Sequence, residues 1–178
     1  MSHEMSEFKI RGLAPVSAEE VILVLEEMGG ARLLPIHTGA HEASALALEV
    51  AGVARDRPLT HDLLLSVLST VGWAVKRVVV SEIKSDVFYA RIYIEKDGEE
   101  RSVDARPSDA LNVAVRARCP IFVSDQVLDR AEPILKPIDA DELERFKKEL
   151  DGADPMAALA ALEGKPAPKE PGREVDAS

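Results

Sequence analysis

Short β-branched-rich segments alternate with glycine turns and helically spaced stretches along most of this chain. That alternation restricts the fold to locally paired strands covered by helices, an α+β arrangement. Phe8–Val16 reads as an extended strand, and Val21–Glu26 (VILVLE) as a strand whose leucines leave a helix open. Gly29-Gly30 marks a turn, and Arg32–Ile36 returns as the hairpin partner. His41–Val50 carries Ala43, Leu46, Ala47 and Val50 at helical spacing, with Gly52 as the stop. Thr60 is the expected N-cap of a second helix, whose stripe is Leu64, Val67, Leu68 and Val71 and whose end is Gly72. Three strands follow, Val75–Ile83, Val87–Glu95 and Glu100–Asp104, the last two joined by an Asp97-Gly98 turn. Pro107 suits the first turn of a helix running to about Arg118, where Pro120 stops it. A short buried strand, Ile121–Val123, then leads into a helical turn opened by Ser124 or Asp125.

The two halves resemble each other at an offset of 67 residues. Phe8–Val16 falls on Val75–Ile83, Val21–Ile36 on Phe88–Val103, and Glu42-Ala43 on Asp109-Ala110. The pattern suggests a duplicated three-strand-plus-helix unit forming a mixed sheet packed with helices, each half burying the apolar face of the other. The alternative is that two hairpin–helix units look alike without duplication. The domain is expected over residues 1–137. Beyond it, residues 138–164 read as a helical appendage and residues 165–178, rich in proline and charge, as a disordered tail.

The formal charge of −10 works against a polyanionic partner, because sequence-independent affinity for nucleic acid comes from Lys and Arg neutralising phosphates. Residues 139–178 hold 11 acids and 6 bases, so residues 1–138 keep 21 acids against 16 bases and are themselves acidic. Any nucleic-acid contact therefore needs a local basic group or a bound metal ion. The single cysteine, Cys119, excludes an intrachain disulfide and a cysteine-based zinc cage. The N-terminus lacks a signal-peptide pattern and no apolar run approaches the length of a membrane span, so a soluble, cytoplasmic protein is expected.

Four blocks carry polar chemistry: Leu34–Ala43 (LPIHTGAHEA), Arg57–Leu64 (RPLTHDLL), Asp104–Ala110 (DARPSDA) and Pro120–Ala131 (PIFVSDQVLDRA). With Phe88–Ile92 (FYARI) among them, their order and spacing resemble the bifunctional nuclease domain family of bacteria and plants over roughly residues 8–131. The resemblance implies nuclease activity on DNA and RNA. Members more often show a bulky apolar residue followed by Ile or Val where this chain has His37 and Thr38, and a proline or small residue at His41.

Within these blocks, Asp104 ends a strand and Asp109 begins a helix, where two carboxylates could share magnesium or manganese, a hard ion able to clamp a phosphodiester. The bland reading makes Asp109 or Ser108 a helix cap and Arg106 the partner of a nearby carboxylate. Thr60, His61 and Asp62 share a helix start that could hold a phosphate beside Arg57, with His61 as acid/base candidate because imidazole titrates near neutrality. Their bland reading is a cap plus a hydrogen-bonded histidine. Glu42, at the matching helix start of the first half, faces Asp109 if the halves pack with pseudo-symmetry. The candidate set is thus His61, Asp62 and Asp109 for catalysis, Arg57, Thr60, Arg106 and Ser108 for substrate, and Asp104, Asp109 and Glu42 for metal. A homodimer or higher homo-oligomer is allowed, and the rival to a nuclease is a non-catalytic regulatory or assembly module in which the same blocks are structural.

Overall fold

A computed structural model of the chain describes residues 4–29 and 32–131. The expected appendage and tail lie outside these residues. The described chain is one mixed sheet of seven strands with four helices. The first half contributes β1 (Met5–Pro15), β2 (Glu20–Glu27), β3 (Leu33–Gly39) and α1 (Ala40–Val50). After α2 (Thr60–Thr70), the second half repeats the plan with β4 (Ala74–Lys84), β5 (Val87–Lys96), β6 (Glu99–Ala105) and α3 (Pro107–Ala117). A last strand and helix, β7 (Ile121–Ser124) and α4 (Asp125–Ala131), complete it.

The sheet order is β3-β2-β1-β7-β4-β5-β6. Each half is an antiparallel meander, and β7 is wedged between them, antiparallel to β1 and parallel to β4. The two meanders therefore run in opposite senses on either side of β7, as the expected pseudo-symmetry requires. Both limits of α3 lie 67 residues after those of α1, matching the offset read from the sequence.

Local signals set the element ends. Ser85 and Asp86 both adopt positive φ in the β4–β5 hairpin, as do Asp97 and Gly98 in the β5–β6 hairpin, and that pairing matches the right-handed strand twist. Gly72, at φ 81°, closes α2 as expected. The core joins Leu23, Leu25, Leu34 and Ile36 to Val78, Val80, Ile92 and Val123, beneath Leu46 of α1 and Leu111, Val113 and Ala114 of α3. Ala43, Leu46 and Ala47 are buried as the spacing predicts, but Val50 is exposed at the helix end.

α2 departs from its expected orientation. Leu64, Val67 and Val71 are exposed, whereas Leu65 and Leu68 pack against the core. Thr60 is also not the cap: the N-cap is Leu59, whose N–H donates to Asp62 Oδ2 at 2.7 Å. The cause is polar. His61 and Asp62 are tied to α3, and those ties fix the rotation of a helix whose apolar residues cover a broad arc wide enough for more than one facing.

Candidate active site

The starts of α1 and α3 meet beside the start of α2. α3 enters from β6 through Arg106, its N-cap, and Pro107, whose fixed φ suits the first helical turn. Asn112, buried on α3, donates from Nδ2 to the carbonyls of Glu42 and Ser108, each at 3.0 Å, and so pins the start of α1 to that of α3. The side chain of Arg116 is only 3% exposed. It donates from Nε to Asp62 Oδ1 at 2.8 Å and from Nη2 to the Ala45 carbonyl at 2.9 Å, drawing all three helices together.

This frame presents four side chains to one open cleft of about 590 Å³: Glu42, His61, Arg106 and Asp109. Arg106 is the hub. Its Nε donates to Asp109 Oδ2 at 2.8 Å, and its Nη2 donates to Glu42 Oε1 at 2.7 Å and to Asp109 Oδ1 at 3.1 Å. The two carboxylates raise the Arg106 pKa further above its already high value. Nη1 has no partner among the described residues, and the side chain is 67% exposed. Glu42 and Asp109 are the equivalents of one another across the 67-residue offset, and they hold one guanidinium between them.

His61 Nε2 lies 3.3 Å from Asp109 Oδ1. Burial works to raise the Asp109 carboxyl, but hydrogen bonds from Arg106 and His61 more than offset that and leave its pKa below the ordinary aspartate range. An ionised carboxylate only accepts, so Nε2 carries the hydrogen it shares with Asp109. Nδ1 is buried and has no partner among the described residues, so any proton exchanged with the cleft passes through Nε2.

The other candidates are placed differently. Asp62 follows His61 by one residue, and side chains one position apart on a helix point about 100° apart. It turns from the cleft to cap Leu59 N–H, bind Arg116 and approach Arg55 at 3.6 Å. Burial pushes its carboxyl up, but the Leu59 N–H and Arg116 pull it below the ordinary value. Arg57 lines a separate cavity with Asp62, while Thr60 lines the cleft. Ser108 is buried and does not cap α3, which has no side-chain cap. Asp104 lies outside the cleft, exposed on β6 opposite Arg91, because its strand position points it away from the helical layer.

That placement bears on the expected magnesium or manganese. Glu42 and Asp109 offer hard oxygen donors, but both are engaged by Arg106 and Asp104 is elsewhere. Among the described residues no three His, Cys, Asp or Glu side chains gather closely enough to hold an ion by themselves. Sequence reasoning missed Arg116 and Asn112. Two polar residues four apart in the otherwise apolar run LNVAVRA were a usable signal, since buried polar groups on a core helix need partners.

Fold and site together define an α+β domain of two similarly built halves, with a polar cleft where their helix starts converge. The chain belongs to the bifunctional nuclease domain family, whose pattern it matches over residues 23–135. It is 35% identical over 161 residues to an uncharacterized protein of Mycobacterium tuberculosis, covering 85% of this chain and 96% of the relative. It is 31% identical over 122 residues to Bifunctional nuclease 1 of Oryza sativa subsp. indica, and 32% identical over 114 residues to Bifunctional nuclease 2 of Arabidopsis thaliana. Those plant matches cover 67% and 62% of this chain but only 36% and 34% of the plant proteins. No described helix is long and apolar enough to cross a membrane.

Proposed function

We propose that this chain hydrolyses phosphodiester bonds of nucleic acid in the Glu42–His61–Arg106–Asp109 cleft. The observation that carries this is the state of Arg106. Two carboxylates orient its Nε and Nη2 while Nη1, on an exposed side chain, has no partner among the described residues. A guanidinium held in this way is a preoriented donor for a phosphate oxygen, and its charge offsets the negative charge that grows on phosphorus-bound oxygens in the transition state. It also answers the objection from the acidic composition, since a single positioned cation can act locally where a basic surface is missing.

Hydrolysis forms one bond from water oxygen to phosphorus and breaks the bond to the leaving oxygen. The water gives up a proton and the leaving oxygen gains one. The Asp109 carboxylate accepts the proton that the water gives up, His61 Nε2–H donates the one that the leaving oxygen gains, and transfer from Asp109 Oδ1 to Nε2 restores the pair. Membership of the family, and plant relatives named bifunctional nucleases, support the reaction class.

The test is cleavage of labelled DNA and RNA by the purified chain, with and without chelator. His61→Gln and Asp109→Asn should each lower kcat at least about tenfold, roughly 1.4 kcal/mol of transition-state stabilisation, with little change in melting temperature. Retained activity in EDTA agrees with Arg106 as the resident cation, whereas full loss with rescue by magnesium or manganese restores the metal expectation. Parent-like cleavage by both folded variants places the chemistry elsewhere.

A further inference from the structure

A second cavity, of about 360 Å³, shares Arg106 with the cleft and is lined among others by Thr38, Gly39, Asp86, Phe88 and Ser108. It contains donors that the fold leaves unused. Thr38 is 8% exposed and its Oγ1 is buried without a partner among the described residues. Ser108, also 8% exposed, has a hydroxyl with no hydrogen bond among the described residues. α3 begins here without a side-chain cap. Because Pro107 has no N–H and Ala110 N–H already donates to the Arg106 carbonyl, the first-turn N–H groups of Ser108 and Asp109 have no acceptor within the helix.

The unpaired buried Thr38 hydroxyl costs free energy, and it lines this cavity together with Ser108, the positive end of an 11-residue helix and a guanidinium. All of them suit a tetrahedral oxyanion. Asp86 is the opposing feature, an exposed carboxylate at the rim that weakens attraction for any anion. We propose that this cavity is a phosphate subsite holding a backbone phosphate adjacent to the one being cut. Thr38, Ser108 and the start of α3 are the donors, and Arg106 is shared between the two phosphates. The subsite rests on the nuclease reading for its ligand, but not for its oxyanion chemistry.

Titration of the full chain with inorganic phosphate, followed by calorimetry, tests the chemistry directly. The parent should bind, and Thr38→Val combined with Ser108→Ala should weaken binding about tenfold or more. Thr38→Val alone should leave the melting temperature unchanged or higher, since it removes an unpaired buried hydroxyl and keeps the side-chain shape. On a labelled oligonucleotide the double variant should raise KM by a similar factor. A parent that cleaves nucleic acid but binds no phosphate, or a double variant that binds as tightly as the parent, overturns the subsite and leaves the nuclease reading standing. Phosphate binding that the variants weaken, with no cleavage by the parent, upholds the oxyanion site and sinks the nuclease reading instead. Weakened phosphate binding with an unchanged oligonucleotide KM assigns the cavity to free phosphate and overturns its role on the backbone.

Discussion

Neighbouring residues in RPLTHDLL show how differently adjacent polar groups can be used. His61 opens to the cleft, whereas Asp62 neutralises Arg116, a guanidinium almost wholly removed from water. Breaking such a pair strands a buried charge, so Asp62→Ala should cost about 3 kcal/mol in chemical denaturation, and Asp62→Asn less, because Asn keeps the cap. The pH dependence follows from the lowered Asp62 carboxyl. Its stabilisation is complete above its unfolded pKa, about 3.9, and is lost as pH falls through the lower folded value. Acid melting curves of parent and Asp62→Ala should therefore be far apart at neutral pH and converge below about pH 4. A constant gap across that range would refute the assignment.

At the scale of elements, the equivalent starts of α1 and α3 are not interchangeable. α3 has Arg106 at its N-cap; the same place on α1 is Gly39. A Cβ on Gly39 would lie 2.7 Å from Glu42 Oε2, so the missing side chain lets Glu42 fold back toward Arg106. Gly39 has φ −70°, which any residue adopts, so Gly39→Ala should fold with a melting temperature near that of the parent. It should nevertheless push the Glu42 carboxylate from Arg106 and raise KM for nucleic acid several-fold. Unchanged steady-state kinetics would mean that the Glu42–Arg106 contact is dispensable. Turns and helix ends were legible because Gly72, Pro107 and Asp97-Gly98 act through their own backbone geometry. The rotation of α2 was not, since its leucines and valines satisfy more than one facing and Arg116, far along the chain, selects among them.

The whole molecule carries a formal charge of −10, and the cleft offers one exposed, oriented cation rather than a basic track. Affinity that depended on neutralising many phosphates would fall by a factor of about 10³–10⁵ between 50 and 200 mM salt. With about one or two phosphates engaged through Arg106, the loss over that range should be no more than about tenfold. Binding of a fluorescent oligonucleotide across a salt series checks this, and a steep slope would mean that binding does not run mainly through Arg106.

The amino-acid sequence alone determined the strand and helix inventory, the 67-residue repeat and the blocks that carry the family, because periodicity, turn chemistry and spacing are local properties. It also placed Glu42, His61, Arg106 and Asp109 at element starts, where polar side chains can converge. Tertiary structure decided how the halves join, with β7 inserted between two meanders running in opposite senses. It also separated Asp62 and Asp104 from the cleft and made Arg106 the cation between Glu42 and Asp109. Those outcomes depend on which charges, the buried Arg116 among them, find partners across 50 or more residues of chain, as in Asp62–Arg116 and Glu42–Arg106. The cost of leaving such a charge unpaired is felt only once the chain has closed around it.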